Sequence, residues 1–115
     1  MRLLVTTAFL AICLYTTAAS ALTPIPGGMK YEVQGNQIAV LLDRPVSNDK
    51  EMLRVFSLAI KGVFGKSVTL TKQNVELASR NGKTGLRFSH GKINYYFLPI
   101  KDESGQMYAF GMFKE

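Results

Sequence analysis

The C-terminal third of the chain, Leu86 to Phe113, constrains the fold more than any other stretch of the sequence. It contains three runs dense in Tyr, Phe, Ile and Met, and the glycine-containing segments His90-Gly91 and Asp102–Gly105 separate them. Aromatic and apolar runs between turn residues are typical of β-strands. The pattern therefore predicts three strands that pair as an antiparallel meander: Gly85–His90, Lys92–Leu98 and Gln106–Phe113.

The preceding stretch, residues 67–80, is extended but interrupted. Its apolar residues change from even to odd positions after Leu70, so a bulge or tight turn is expected near Lys72–Asn74. Asn81-Gly82 is the strongest hairpin signal in the chain, and it joins a strand over Asn74–Arg80 to the meander. Pro99 is expected to mark a strand end or an edge, because proline cannot donate to a β-ladder.

An N-terminal hairpin is predicted from Met29–Val33 and Gln37–Asp43, with the turn at Gly35-Asn36. The continuous apolar run in the second strand suggests cover on both faces, and Pro45 is expected to end it. Residues 22–28 contain two prolines and two glycines. This composition predicts a flexible leader outside the core.

The sequence predicts one helix, over Asp49–Phe64. Asn48 and Glu51 form a capping-box pattern at its start, and Gly65 suits the left-handed position after its end. Apolar residues recur between these signals at helical spacing, at Met52, Leu53, Phe56, Ala59, Ile60 and Val63. Together the elements predict an α+β fold. It comprises a hairpin, one amphipathic helix and a C-terminal β-meander, in an antiparallel sheet of about five to seven strands over residues 29–115.

The stretch NGKTGLRFSHGKINYYFLPI, followed by GQMYAFGMF, resembles small secreted members of the PsbP/Mog1-like group, in which a glycine-containing strand precedes a tyrosine-rich hairpin. The resemblance covers about the last 40 residues and rests on pattern. It implies an antiparallel sheet with helical cover and a function as an assembly or accessory factor. It transfers no functional residue to this chain.

Residues 1–21 have the order of a secretory signal peptide. Arg2 precedes an apolar run over Leu3–Leu14, and Ala19-Ser20-Ala21 supplies small residues before a cleavage site. We expect cleavage after Ala21, with Ala19 as the alternative, and a periplasmic or secreted location. A membrane anchor is the other interpretation, but the run is shorter than the ~20 apolar residues of a spanning helix.

Cys13 is the sole cysteine, and it lies inside the apolar run of the signal. Ile12 is too bulky for the small residue that precedes a lipidated cysteine, so we expect Cys13 to leave with the signal. The mature chain would then have no disulfide and no thiol chemistry. Loss of Arg2 would lower the formal net charge from +6 to +5, a basic balance that favours anionic partners.

The sequence offers little material for catalysis, and we expect no catalytic, cofactor-binding or metal-binding residues. His90, the sole histidine, adjoins Ser89, but neighbours on a strand point to opposite faces and cannot form a triad. One histidine with scattered acids is a poor metal-ligand set. The glycines follow strand turns and do not form a phosphate loop. Asp102 and Glu103 are expected at a solvated hairpin tip.

Two surfaces are candidates for binding. The last two strands are apolar on both faces, and one helix covers only one face of a sheet. We therefore predict a partner or self-association surface on the other face, formed by Tyr96, Leu98, Tyr108, Phe110 and Met112. The alternative is that these residues are core. An anion patch is predicted around one hairpin, at Arg80, Lys83, Arg87 and Lys92.

A second basic feature, a stripe on the polar side of the helix, consists of Lys50, Arg54, Ser57 and Lys61. It is either an anion- or membrane-facing surface or the solvated back of an amphipathic helix.

Three functions follow from these observations. The first is a small, exported, non-enzymatic binding or accessory domain that acts through a sheet surface, with another protein or a second copy as partner. The second is a protein that binds anionic polymers or lipid headgroups, without a specific nucleic-acid motif. The third is a small hydrolase. Salt-dependent retention on an anionic matrix would favour the second function, and turnover of a substrate would favour the third.

Overall fold

In a computed structural model, the described part of the chain forms a seven-stranded antiparallel sheet crossed by one helix. The structure describes residues 22–80 and 82–115, with only the backbone at Arg80. The predicted signal peptide, residues 1–21, lies outside this part. In chain order the elements are β1 Thr23–Ile25, β2 Met29–Gln34, β3 Gln37–Val46, α1 Asp49–Phe64, β4 Val75–Arg80, β5 Lys83–His90, β6 Ile93–Lys101 and β7 Met107–Lys114. The predicted α+β fold with a β-meander is confirmed.

The strand order across the sheet is β1-β2-β3-β7-β6-β5-β4. The last strand in sequence, β7, therefore lies at the centre, between the N-terminal β1–β3 meander and the β4–β6 meander. Every neighbouring pair is antiparallel. The sheet is continuous because β7 pairs with β3 on one side and with β6 on the other.

The helix α1 has the predicted bounds, N-cap residue and C-terminal glycine, but the Glu51 side chain pairs with Arg54 and does not complete the predicted capping box. The side chain of Asn48 accepts a hydrogen bond from the backbone N–H of Glu51 at 2.8 Å, which satisfies one of the unpaired donors of the first turn. Gly65 ends the helix in the left-handed conformation, with φ of 75°. Its N–H donates to the carbonyl of Lys61 at 3.0 Å, as expected for a glycine C-cap.

The core lies between α1 and one face of the sheet. Phe56 is fully buried there, with its ring 4.2 Å from that of Phe97 and 4.7 Å from that of Phe110. The other large buried side chains of this layer include Val40, Ile60, Tyr95, Met107 and Met112. Burial of this apolar area is the main contribution to stability that the structure shows.

The leader prediction for residues 22–28 is wrong. Thr23–Ile25 form β1, which pairs with β2, and Ile25 is 3% exposed. The side chain of Ile25 packs onto α1 at Gly62, where an added Cβ would lie 2.5 Å from its Cγ2. Proline does not prevent this strand, because the outer side of a short edge strand needs no ladder donor.

Pro45 was expected to end its strand, and Pro99 to mark a strand end or a sheet edge. Both predictions are wrong, because both prolines lie within strands. β3 continues to Val46 through an irregular stretch in which residues 43–45 are exposed. β6 continues through Pro99 to Lys101, in the interior of the sheet. The β5–β6 pairing, however, ends at Leu86 opposite Phe97. The β5–β6 ladder is not continued beyond that pair, so proline is accommodated there.

The connection between α1 and β4 contains the predicted break. A turn occupies residues 72–74, and the side chain of Asn74 holds it by accepting from the N–H of Thr71 at 2.7 Å. Val68 and Leu70 pack against the core. The hydroxyl of Ser57 accepts from the N–H of Leu70 at 3.2 Å, so Ser57 anchors this connection and does not belong to a solvent-facing stripe.

Candidate functional site

The face of the sheet opposite α1 is the surface that best fits a binding function, and we call it the open face. No described helix or second sheet packs against it within residues 22–80 and 82–115. Its large apolar side chains are Leu41, Tyr96, Leu98, Ile100 and Phe113. Small residues lie among them, namely Ala39, Ala109, Gly111, Gly85 and Ala78.

The small residues give the open face its shape. Ala39 lies opposite Gly111, and Gly111 lies opposite Leu98 on the next strand. Ala39 and Ala109 are buried although they are not part of the helix-side core. At Gly85 a Cβ would collide with the carbonyl oxygen of Phe97, so a glycine is required there. Leu98 is therefore the long side chain of this row, between Gly111 and Gly85.

A row of side chains that contact one another across the strands, from β4 to β7, borders this surface. Glu76 lies opposite Arg87, and their side chains form an ion pair at 2.8 Å. Arg87 also donates to the hydroxyl of Tyr96, and Tyr96 stacks on Phe113 with ring centroids 4.9 Å apart. The hydrogen bond to Glu76, followed by the one to Tyr96, holds the pKa of Arg87 above its usual value. The row therefore fixes a cation in place at the rim.

The predicted interaction set does not form one surface. Tyr96 and Leu98 lie on the open face, but Phe110 and Met112 are fully buried against α1. Placing them in the same surface was wrong, because a β-bulge shifts the register. Lys101 pairs with Met107 and Ile100 pairs with Ala109, which leaves Tyr108 as the extra, half-buried residue.

A count from the turn without a bulge would place Phe110 opposite Leu98 and Met112 opposite Tyr96. The one-residue shift instead exchanges the two faces of β7. The open-face residues that the sequence prediction missed include Phe113, Ala109 and Gly111 on this strand, Ile100 on β6 and Leu41 on β3. No sequence signal marked the bulge, because β7 is apolar at both parities.

The predicted anion patch does not form one cluster either. Arg80 and Lys83 face each other across the hairpin turn, but Lys92 lies in the turn at the opposite end of β5. An eight-residue strand spans roughly 24 Å at about 3.4 Å per residue, so Lys92 is remote from Arg80 and Lys83. Arg87 is paired with Glu76. The grouping was wrong because residues that are close in sequence lie at opposite ends of the strand.

The basic stripe on α1 is interrupted in the same way. Arg54 pairs with Glu51 one turn earlier, and this pairing lowers the pKa of Glu51. Ser57 lies under the α1–β4 connection. Lys50 and Lys61 are exposed, and the cation between them, Arg54, is the one that is paired.

The residues considered for acid–base chemistry lie at a strand end and in a turn. His90 is exposed at the end of β5, near Phe88 of the same strand. The Oδ1 atom of Asp102 accepts from the Ser104 hydroxyl at 2.7 Å and from the N–H groups of Ser104 and Gln106 at 3.0 Å. The hydrogen bond from the Ser104 hydroxyl, followed by the one from the Gln106 N–H, lowers the pKa of Asp102. This geometry is that of a turn whose carboxylate stays ionised.

In the part of the chain that the structure describes, no cluster of three or more His, Cys, Asp or Glu residues could hold a metal ion. The described helix is too short and too polar to cross a membrane. Comparison with known proteins gave no matching family model, no matching curated protein and no matching solved structure.

Proposed function

We propose that this protein is exported and that its mature chain is a non-enzymatic binding or accessory domain, which holds another protein against the open face. The observation that carries the proposal is the contiguous apolar face around Leu98, which lies away from α1 and outside the helix-side core. On this face Tyr96 and Ile100 are buried, and Leu41, Leu98 and Phe113 are half-buried. Contiguous apolar surface with a polar rim is typical of protein interaction sites.

The rim favours a protein partner over a polyanion. Open-face positions at the edge carry both signs, with Lys30 and Glu32 on β2 and Glu76 beside Arg87 at the other side. The alternative, a binder of anionic polymers or lipid headgroups, loses support because the predicted cation clusters are divided or paired.

The resemblance to PsbP/Mog1-like domains supports the same class of function as a hypothesis. Members of that group are mostly assembly or accessory factors, so a partner-holding sheet face would suit it. Export is supported by the signal-like residues 1–21. Mass spectrometry of the exported protein tests it, with an expected N-terminus at Leu22 and no lipid on Cys13.

Site-specific photocrosslinking tests the binding function. A photoreactive amino acid at Leu98 of the full chain, expressed in the source cells, should give a discrete adduct with one protein species. The same amino acid at Val33, which is 63% exposed on the other side of the sheet, is the matched control. The adduct should disappear when Leu41→Arg is added. Equal labelling from Leu98 and Val33, or persistence of the adduct in the Leu41→Arg chain, would contradict the proposal.

A further inference from the structure

The helix side of the sheet carries a second surface, at the corner formed by β4, β5 and the end of β6. A cleft of about 400 Å³ opens there between these strands and the first turns of α1. This volume is within the range of small-molecule sites in proteins. The cleft is on the opposite side of the sheet from the open face, so it is independent of the proposed function.

The cleft has an identifiable cause in the sequence. Pro99 has no N–H, and the β5–β6 ladder ends just before it, at Leu86 opposite Phe97. The start of β5 and the end of β6 therefore separate, and Thr84 and Pro99 line the space between them. α1 lies over the centre of the sheet, where Phe56 packs on Phe97, and leaves this corner uncovered.

The walls of the cleft are apolar and its mouth is basic. Leu77 on β4 is 75% exposed and lies opposite Leu86, which is half-buried. The remaining apolar lining comes from Met52, Leu53, Val75 and Pro99. Three charged residues, Asp49, Lys72 and Lys101, stand around the opening. Asp49 and Lys72 are 4.0 Å apart and both are exposed, whereas Lys101 makes no ion pair with the described residues.

We propose that this cleft binds a free, medium-chain fatty acid. The alkyl chain would cover Leu77 and Leu86, and the carboxylate would lie at the mouth near Lys101 and Lys72. An apolar cleft gains from an alkyl chain because exposed apolar surface leaves water. A single negative charge complements two lysines of which one is already partly neutralised by Asp49.

Titration of isotope-labelled mature protein with sodium decanoate, followed by NMR, tests the proposal. Saturable shifts should concentrate at Leu77, Thr84, Leu86 and Lys101. Affinity should fall roughly fourfold for each methylene removed from the chain, as expected for burial of CH₂ groups. Shifts centred on the open face, or the absence of saturation below the micelle concentration, would overturn the proposal.

Charge variants separate this site from general adsorption of an amphiphile. Lys101→Gln should weaken decanoate binding roughly fivefold, the scale of an exposed charge pair, and leave 1-decanol binding unchanged. Asp49→Asn should strengthen decanoate binding, because it removes a competing carboxylate. Lys61→Gln, at an exposed lysine on the far half of α1, is the matched control and should change neither. An equal loss in Lys101→Gln and Lys61→Gln would show adsorption and contradict the site.

A steric variant tests the cleft itself. Thr84→Trp places a large ring in the space between β5 and β6, at a position that is exposed in the structure. It should abolish the binding of both decanoate and 1-decanol. The thermal unfolding midpoint of each variant should stay near that of the parent, because all the substituted side chains are exposed. Undiminished binding in a folded Thr84→Trp chain would overturn the proposal.

Discussion

Phe56 of α1 and Phe97 of β6 stack with ring centroids 4.2 Å apart and planes within 10° of parallel, and both side chains are fully buried. This contact joins the helix to the centre of the sheet. Phe56→Ala should lower the free energy of unfolding by about 3–5 kcal/mol, because it removes a buried ring and leaves a cavity. Urea denaturation followed by circular dichroism measures this change.

Leu77→Ala is the matched control for that experiment. Leu77 is a large apolar side chain on the same side of the sheet, but it is 75% exposed. Its truncation should change the free energy of unfolding by no more than about 0.5 kcal/mol. Comparable losses in the two variants would show that α1 does not provide the main cover of the sheet.

Much of the fold follows from local signals in the sequence. The helix was predictable because Asn48 caps its first turn and Gly65 ends it in a conformation that favours glycine. The hairpin at Asn81-Gly82 was predictable because these two turn residues set the strand register, in which Arg80 pairs with Lys83. These features depend on a few residues that are close in sequence, so their pattern is sufficient.

The composition of the open face could not be predicted in the same way. It depends on the bulge at Tyr108 and on the pairing of β7 with β3, which is distant in sequence. A strand that is apolar at both parities does not specify its own register, since either face could be buried. The position of β1 could not be predicted either. The Ile25 side chain packs where Gly62 has no side chain, and Gly62 lies 37 residues later in the chain.

A deletion at the bulge tests the register directly. Removal of Tyr108 leaves Met107 on the helix side and Ala109 on the open face, because the deleted residue is the unpaired one. We expect a folded chain that is destabilised by about 1–3 kcal/mol, the usual range for losing a half-buried side chain. Removal of Gly111, in the regular part of β7, should instead move Phe110 out of the core and abolish cooperative unfolding. If the Gly111 deletion were the milder of the two, the assigned register would be wrong.

The contact between Ile25 and Gly62 predicts an unusual response to a helix substitution. Gly→Ala inside a helix ordinarily stabilises by up to about 1 kcal/mol. Here the new Cβ would lie 2.5 Å from Cγ2 of Ile25, so Gly62→Ala should destabilise by about 1–3 kcal/mol through overpacking. The penalty should become much smaller in an Ile25→Ala background, where the obstructing side chain is absent. A double-mutant cycle based on urea denaturation measures this coupling.

Lys61→Ala, at the exposed helix position next to Gly62, is the control for that cycle. It should change stability by no more than about 0.5 kcal/mol in either background. Additive effects of Gly62→Ala and Ile25→Ala would mean that β1 does not pack on the helix.

The turn before β7 predicts a specific dependence on pH. The hydroxyl of Ser104 and the N–H of Gln106 donate to Asp102 and lower its pKa below the usual value of 3.8. Since the folded chain then binds this proton less readily than the unfolded chain, the stabilisation is complete above the usual pKa. It is lost as the pH falls through the lowered pKa of the folded state.

NMR titration of the Asp102 carboxyl carbon should give a midpoint below 3.8 in the parent and a higher one in Ser104→Ala, which lacks the principal donor. Ser67→Ala, at an exposed serine outside this turn, should leave the midpoint unchanged. Asp102→Asn, which keeps an oxygen acceptor but does not titrate, should reduce the acid-dependent loss of stability in urea denaturation. A parent midpoint at or above 3.8, or no response to Ser104→Ala, would show that these hydrogen bonds do not hold the turn in solution.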